Sequence, residues 1–305
     1  VFSPCGLGET LKRLKGEPFA RNGNTIWRYP ALAVACRNAH LAHGTGEEET
    51  MSETVTCSVR ETESGSVATL TIDRETKLNA LNPALVDAAR EAIERESRAH
   101  RVIVLTGAGE RSFIGGADIG HMATLDPAGA RAFIAGLHGL CGAIRRAPVP
   151  VVARIQGYCF GAGVEIAACC DLRVASHKAQ FAMPEVHVGI PSVIEAALLP
   201  GLIGAGRARD LVMTGRRIDA QEAFRIGLVE RLAAPAALDT ALDEVVAALL
   251  QGGPEALRVQ KAICNDWDTI PADASISRSI DAFSAMFEGD EPSRMMGAFL
   301  NRKRG

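Results

Sequence analysis

Two glutamates stand twenty residues apart, each isolated in apolar sequence. Glu165 is the only charged residue in the sixteen-residue run IQGYCFGAGVEIAACC between Arg154 and Asp171. Burying such a carboxylate is costly unless something solvates it or it takes up a proton. Glu185 follows Pro184 in AQFAMPEVHVGIPSVIEAALLPGLIGAG, where it and Glu195 are the only charges between Lys178 and Arg207. Carboxylates in such surroundings are the raw material of general acid/base chemistry, in which environment separates their pKa values. Structural readings stay open beside this one. Glu165 fits a helix residue facing solvent, and Glu185 a loop residue capping a neighbouring N–H. Glu195 falls in a helical pattern with Ile194, Leu198 and Leu199, which favours a structural or pocket-shaping role.

Gly-rich turns accompany the pair. Gly161-Ala162-Gly163 delivers backbone N–H groups at the start of the helix that carries Glu165, where the helix dipole favours negative charge on a ligand. In the loop FIGGADIGHM, residues 113–122, consecutive glycines permit close backbone approach, and the N–H after them can serve as one arm of an oxyanion hole.

The elements that must position these groups follow from periodicity. Alternation over 54–60 and 66–73 predicts two strands joined at Ser64-Gly65. Asn82-Pro83 starts a helix to about residue 97, and Asp126-Pro127 a second to about 146. Strands are predicted at 102–105, 149–155, 172–175 and 180–182, and a helix at 161–170, with a Gly-rich loop over 107–120. Repeated strand-strand-helix units are implied. From about residue 192 the chain is mostly helical, apart from a short strand near 227–230. Residues 1–50 show no sustained period and are expected to be an irregular, dispensable extension, with a mitochondrial presequence as the lesser reading. The expected organisation is therefore 1–50, a core over 51–250 and a helical region over 251–305.

Composition excludes other classes. With 305 residues, 47% apolar and 23% charged, the chain has ample core and is neither disordered nor fibrous. A net charge of −3 gives no positive field for a polyanion, so no nucleic-acid partner is expected. Eight cysteines lack C-x-x-C or regular spacing, and no run of eighteen uncharged apolar residues occurs; the expectation is a reduced, cytoplasmic protein with no membrane partner. Neither Gly107-Ala108-Gly109 nor Gly161-Ala162-Gly163 has the third glycine of a dinucleotide fingerprint. No G-x-S-x-G is present, and the nearest histidine pair, His40 and His43, lies in the extension, so no metal is expected.

Four ordered segments carry a family resemblance: KLNAL at 77–81, SFIGGADI at 112–119, QGYCFGAGVEIAACCDLRVAS at 156–176 and FAMPEVHVGI at 181–190. Across residues 54–304 the chain resembles the crotonase superfamily, and most of all its enoyl-CoA hydratases. The resemblance implies an α/β fold, a crotonase-like spiral of ββα units with a C-terminal helical region, assembled as a homotrimer or homohexamer and binding acyl-CoA. It implies an oxyanion hole from the N–H groups of Ala117 and Ala162, the latter at a position the family usually fills with Gly. It implies CoA contacts at Lys77, Leu78, Ala80, Asp118 and Ile119. It implies catalysis by Glu165 on the water and Glu185 on the α-carbon, with no metal or redox cofactor, since CoA arrives as part of the substrate. Gly120-His121 replaces the Lys that often meets CoA phosphates, with His121 a possible substitute, and IPSVIEAALLP replaces the usual Gly-rich wall near the acyl group. Lys303 is a weak candidate for a neighbour's CoA. The alternatives are another acyl-CoA reaction of the fold, double-bond isomerisation, dehydration or thioester hydrolysis, and a non-catalytic acyl-CoA-binding protein. The paired glutamates discriminate, because binding alone does not require them.

Overall fold

The computed structural model describes residues 17–21, 24–29 and 53–302. The described residues begin with an antiparallel strand pair, β1 (Glu17–Arg21) and β2 (Asn24–Tyr29). The chain then pairs β3 (Thr54–Arg60) with β4 (Val67–Asp73) across the 62–65 turn. β2 adds to the free edge of β3, Thr25 through Tyr29 opposite Val59 through Val55, so this part of the expected irregular extension is strand instead. The rest of that extension, His40 and His43 included, lies outside the described residues, as does Lys303.

From β4 the chain winds as a spiral. α1 (Pro83–Ala99) starts where the Asn82 side chain accepts a hydrogen bond from the Leu85 N–H (2.9 Å) and leads to β5 (Val102–Gly107), parallel to β4. β6 (Ser112–Ile114) leaves the sheet, α2 (Ile119–Met122) is one turn, and α3 (Pro127–Arg146) is capped by Asp126 on the Gly129 N–H (2.7 Å). β7 (Val151–Ile155), β8 (Tyr158–Phe160) and α4 (Ala162–Cys169) repeat the strand-strand-helix unit, and β9 (Leu172–Ser176) and β10 (Gln180–Ala182) begin the next. α5 (Leu199–Ile203), α6 (Ala205–Thr214), β11 (Arg217–Asp219), α7 (Ala220–Ile226) and β12 (Arg231–Ala233) complete it. Each turn of chain contributes one strand to a large sheet, ordered β1-β2-β3-β4-β5-β7-β9-β12, and one to a small sheet, ordered β11-β10-β8-β6. Four helices follow: α8 (Leu238–Gln251), α9 (Pro254–Thr269), α10 (Ala272–Met286) and α11 (Glu291–Arg302).

β5 is buried along its whole length because both faces are covered. Ile103 and Leu105 join the main core with residues of α1, α3 and α4, while Val102 and Val104 meet Leu238, Leu242, Val246 and Leu250 of α8. Beyond β1 and β2, strand positions differ from expectation in four places. β6 interrupts the loop expected over 107–120, β8 and β11 are additional strands, and the strand expected near 227–230 lies at Arg231–Ala233. All four are three residues long, too short for an alternating period to declare itself; pairing with a neighbouring strand defines them.

The C-terminal helices are tied back by charge. Lys261 on α9, 6% exposed, reaches Asp171 Oδ2 (2.8 Å) and donates to the carbonyls of Ile144 (2.9 Å) and Val149 (3.0 Å). Removing the lysine leaves the Ile144 and Val149 carbonyls and a partly exposed carboxylate without this donor. Lys261→Ala is therefore expected to destabilise the fold by about 1–3 kcal/mol. Chemical denaturation checks this, and a midpoint equal to that of the parent protein refutes it.

Candidate active site

Two glycines let the site close up. Gly161, between β8 and α4, has φ +51°, and a Cβ there would lie 2.5 Å from Glu185 Oε1; one on Gly163 would lie 2.2 Å from the Ile114 carbonyl oxygen. The first absence admits a carboxylate over the start of α4, and the second lets α4 pack against the end of β6.

The opposite wall is built on the turn over 77–81. Leu78 and Asn79 adopt left-handed conformations, φ 56° and 57°. The buried Asn79 side chain sustains them, accepting from the Arg74 N–H (3.0 Å) and donating to the carbonyls of Ala108 (3.0 Å) and Ser112 (2.9 Å). This turn holds the glycine loop through three bonds: Gly115 N–H to Leu78 O (2.9 Å), Leu81 N–H to Gly116 O (2.8 Å) and Asp118 N–H to Leu81 O (2.8 Å). Between them the Ala117 N–H has no acceptor among the described residues. The N–H of Ala162 is likewise unengaged, because the first N–H groups of a helix have no intrahelical carbonyl to reach.

Ala117, Ala162, Glu165 and Glu185 line one cavity of about 280 Å³, closed on its apolar side by Met122, Ile134, Leu137, Val188, Ile190 and Val193. Glu165 is 5% exposed, and its Oε1 accepts from the Ala196 N–H (3.1 Å). Burial first, and then the charges of Glu185 and Glu195, push its pKa up to about 8, against the opposing effect of the Ala196 hydrogen bond. Glu185 Oε2 accepts from Ser192 Oγ (2.7 Å). Two carboxyl groups, one held protonated near neutrality, thus share a mostly apolar chamber with two free N–H donors. Such a chamber can move protons on either side of a carbonyl-activated substrate.

Of the other residues singled out from sequence, Ile119 lines this cavity, whereas Lys77, Leu78, Ala80 and Asp118 do not. Lys77 is exposed on the supporting turn. The Asp118 carboxylate pairs with Arg74 (2.6 Å) and caps α2 through the His121 N–H (3.1 Å), and the Arg74 guanidinium beside it holds it below the usual carboxylate range. Its side chain is committed to structure. His121 stacks edge-on against Phe133 with ring centroids 5.3 Å apart and borders a separate cavity with Pro83 and Asp87. Glu195 is buried, with Oε1 2.6 Å from His138 Nδ1. Sequence reasoning missed Asn79, Ser192 and Ala196. Asn79 sits inside the KLNAL segment, but nothing local marks it as buried, and no pattern announces a serine or backbone N–H that bonds a glutamate from another element.

Among the described residues no group of three or more His, Cys, Asp or Glu side chains is placed to hold a metal ion, and no helix is long and apolar enough to cross a membrane.

Residues 62–304 match the family model described as enoyl-CoA hydratase/isomerase. The chain is 35% identical over 241 residues to a crotonyl-CoA hydratase of Syntrophomonas wolfei, covering 78% of this chain and 93% of that protein. It is 35% identical over 249 residues to a short-chain-enoyl-CoA hydratase of Clostridium acetobutylicum, covering 79% and 93%. A crystal structure of an enoyl-CoA hydratase from Bacillus anthracis superposes with a TM-score of 0.76 at 28% identity, covering 81% of this chain and 96% of that one.

Proposed function

Because this chain belongs to the enoyl-CoA hydratase/isomerase family, we propose that it adds water across the α,β double bond of a 2-enoyl-CoA, or removes it in the reverse direction. The observation that carries this reading is the meeting of Glu165 and Glu185 in one chamber with the unengaged N–H groups of Ala117 and Ala162.

In this reading the thioester oxygen accepts from both N–H groups, each worth about 3 kcal/mol as negative charge develops on it. The dipole of α4 adds to the same effect. Electron withdrawal makes the β-carbon electrophilic. In the reactive form the pair's proton sits on Glu185: Glu165, ionised, takes a proton from water as the water oxygen bonds to the β-carbon, and Glu185 delivers its proton to the α-carbon of the enolate. Afterwards the proton on Glu165 is lost to solvent and Glu185 takes one up, which restores the starting state. The substrate brings CoA, and no metal or redox cofactor takes part. Lys77, Leu78, Ala80 and Ile119 are the proposed CoA contacts.

A homotrimer or homohexamer belongs to the same reading. It is supported by the apolar face that α10 and α11 leave in water, where Ile276, Ile280, Phe283, Phe287, Met296 and Phe299 are all about half exposed or more. Light scattering is expected to give a multiple of three times 32.2 kDa, and a clean monomer rejects the assembly. The proposed location is cytoplasmic, supported by the six described cysteines, all free; recovery in an organelle or envelope fraction rejects it.

Turnover of a short 2-enoyl-CoA, followed by loss of its ultraviolet absorbance, tests the reaction. Parallel assays with a β,γ-enoyl-CoA and with a saturated acyl-CoA read isomerisation and hydrolysis. Faster conversion of either one, with no hydration, rejects the hydratase reading.

A further inference from the structure

Glu165 does not hold its place alone. Its Oε1 is met by the Ala196 N–H, which belongs to the single 3₁₀ turn Ile194–Leu198 packed between α3, α4 and α5. That turn begins under strain, for Ile194 has φ +39°, a conformation that a β-branched residue adopts only when its surroundings enforce it. The next residue supplies the enforcement. Glu195 turns its carboxylate inward, and His138 Nδ1 on α3 donates to its Oε1 at 2.6 Å. His138 keeps 64% of its side chain in solvent while Glu195 keeps 8%, so the pair bridges surface and interior. The other oxygen, Glu195 Oε2, is buried with no hydrogen-bond partner among the described residues. A turn held only for packing has no need of a buried carboxylate with half its acceptors empty.

We propose that His138 and Glu195 form a positioning pair that seats the 194–198 turn on α3 and thereby holds the Ala196 N–H against Glu165. The titratable groups that face Glu195 are His138 and Cys141 from α3 and Glu165 from α4, while α5 presents no charged side chain. Glu165 additionally faces Glu185. Its hydrogen bond with Cys169, and then burial, keep the Cys141 thiol well above its ordinary range, so it contributes no charge near neutrality. The pair therefore acts on Glu165 in two ways. Through Ala196 it supplies a donor, and through the Glu195 carboxylate it supplies a like charge that favours the protonated form.

This inference rests on the hydratase reading for its kinetic arm only. The first measurement is independent of turnover: the Glu165 carboxyl is titrated by 13C NMR in the full chain labelled at glutamate, with Glu165→Gln identifying its signal. Glu195→Gln keeps an oxygen for His138 and removes the charge, so the Glu165 midpoint is expected to fall from about 8. An unmoved midpoint overturns the proposal even if the protein proves to catalyse another reaction. The second measurement is kinetic. His138→Ala and Glu195→Ala are each expected to lower kcat about 10–100-fold with KM little changed, the scale of a small misplacement of a reacting group. The double variant loses no more than either single one, and Glu195→Gln and His138→Gln recover most of the loss. Additive losses, or glutamine variants as impaired as the alanine ones, overturn it. Should the alanine variants fail to fold, the Glu195→Gln titration still decides. A wild-type protein that hydrates no enoyl-CoA rejects the proposed function and leaves that titration standing.

Discussion

Glu165→Gln and Glu185→Gln are each expected to lower kcat for enoyl-CoA hydration by about 10²–10⁴-fold while KM changes little. The amide keeps the shape and can still accept from Ala196 or Ser192, so the chamber stays formed and only proton exchange is lost. Because the two groups serve one addition, the double variant is expected to lose less than the product of the single losses. The variants differ in a second readout. Glu185→Gln stops exchange of the α-proton with solvent deuterium, whereas Glu165→Gln retains some of it, since only Glu185 is assigned to the α-carbon. Near-parental rates in both single variants reject the two-glutamate mechanism and favour another mechanism for the addition.

The pH dependence gives the same assignment a sign. Glu165 works as a base only when ionised, and burial holds it protonated to about pH 8. In the hydration direction kcat/KM for the free enzyme is therefore expected to rise with pH through that value, and Glu165→Gln removes this limb. Stability runs the other way. A carboxyl whose pKa rises from 4.5 in the unfolded chain to about 8 in the fold binds its proton more tightly when folded, so its contribution is complete below 4.5 and is lost as pH climbs through 8. Glu165→Gln flattens that slope as well. A site that holds a base protonated at neutral pH is at its most stable where it is least active.

How much of this was legible in the sequence depends on the range of the interaction. The isolation of Glu165 and Glu185 in apolar sequence is a local fact, and the structure brings both into one chamber with Ala117 and Ala162. The capped helices α1 and α3 were equally legible, because Asn82-Pro83 and Asp126-Pro127 act within one turn. What escaped depends on contacts across the fold. Asn79 holds its turn by bonding carbonyls 29 and 33 residues away. Ala196 bonds Glu165 from 31 residues away through its backbone, which every residue type but proline offers alike. Asp118 shows the same range from the other side: it stands next to Ala117 in a motif segment, and its carboxylate closes an ion pair with Arg74 from 44 residues away. The strand pair at 17–29 was missed because it is defined by the β3 edge it covers.

Ala162→Pro is expected to lower kcat about 10²–10³-fold, the effect of deleting one oxyanion-hole donor. The substitution isolates the N–H because of where Ala162 sits. It is the first residue of α4, a position at which proline fits without breaking an intrahelical bond. The bonds that start the helix, from the Val164 and Glu165 N–H groups to Gly161 O (2.8 and 3.2 Å), do not involve the Ala162 nitrogen and are kept. The preceding residue also tolerates the ring, since Gly161 has no Cβ to meet the proline Cδ. Glu165 therefore stays on the same helix in the same chamber, and its titration near pH 8 is expected to persist in the variant, which shows that the acid/base pair survives the loss of rate. Ala162→Gly supplies the comparison: it changes the same residue but retains the donor, and is expected to lose far less. Transition-state stabilisation by two donors also predicts that Ala162→Pro weakens binding of an enolate-like acyl-CoA analogue more than binding of the saturated acyl-CoA. Equal weakening of both, or a kcat matching that of Ala162→Gly, removes Ala162 from the oxyanion hole and leaves the Ala117 N–H as the single donor to the thioester oxygen.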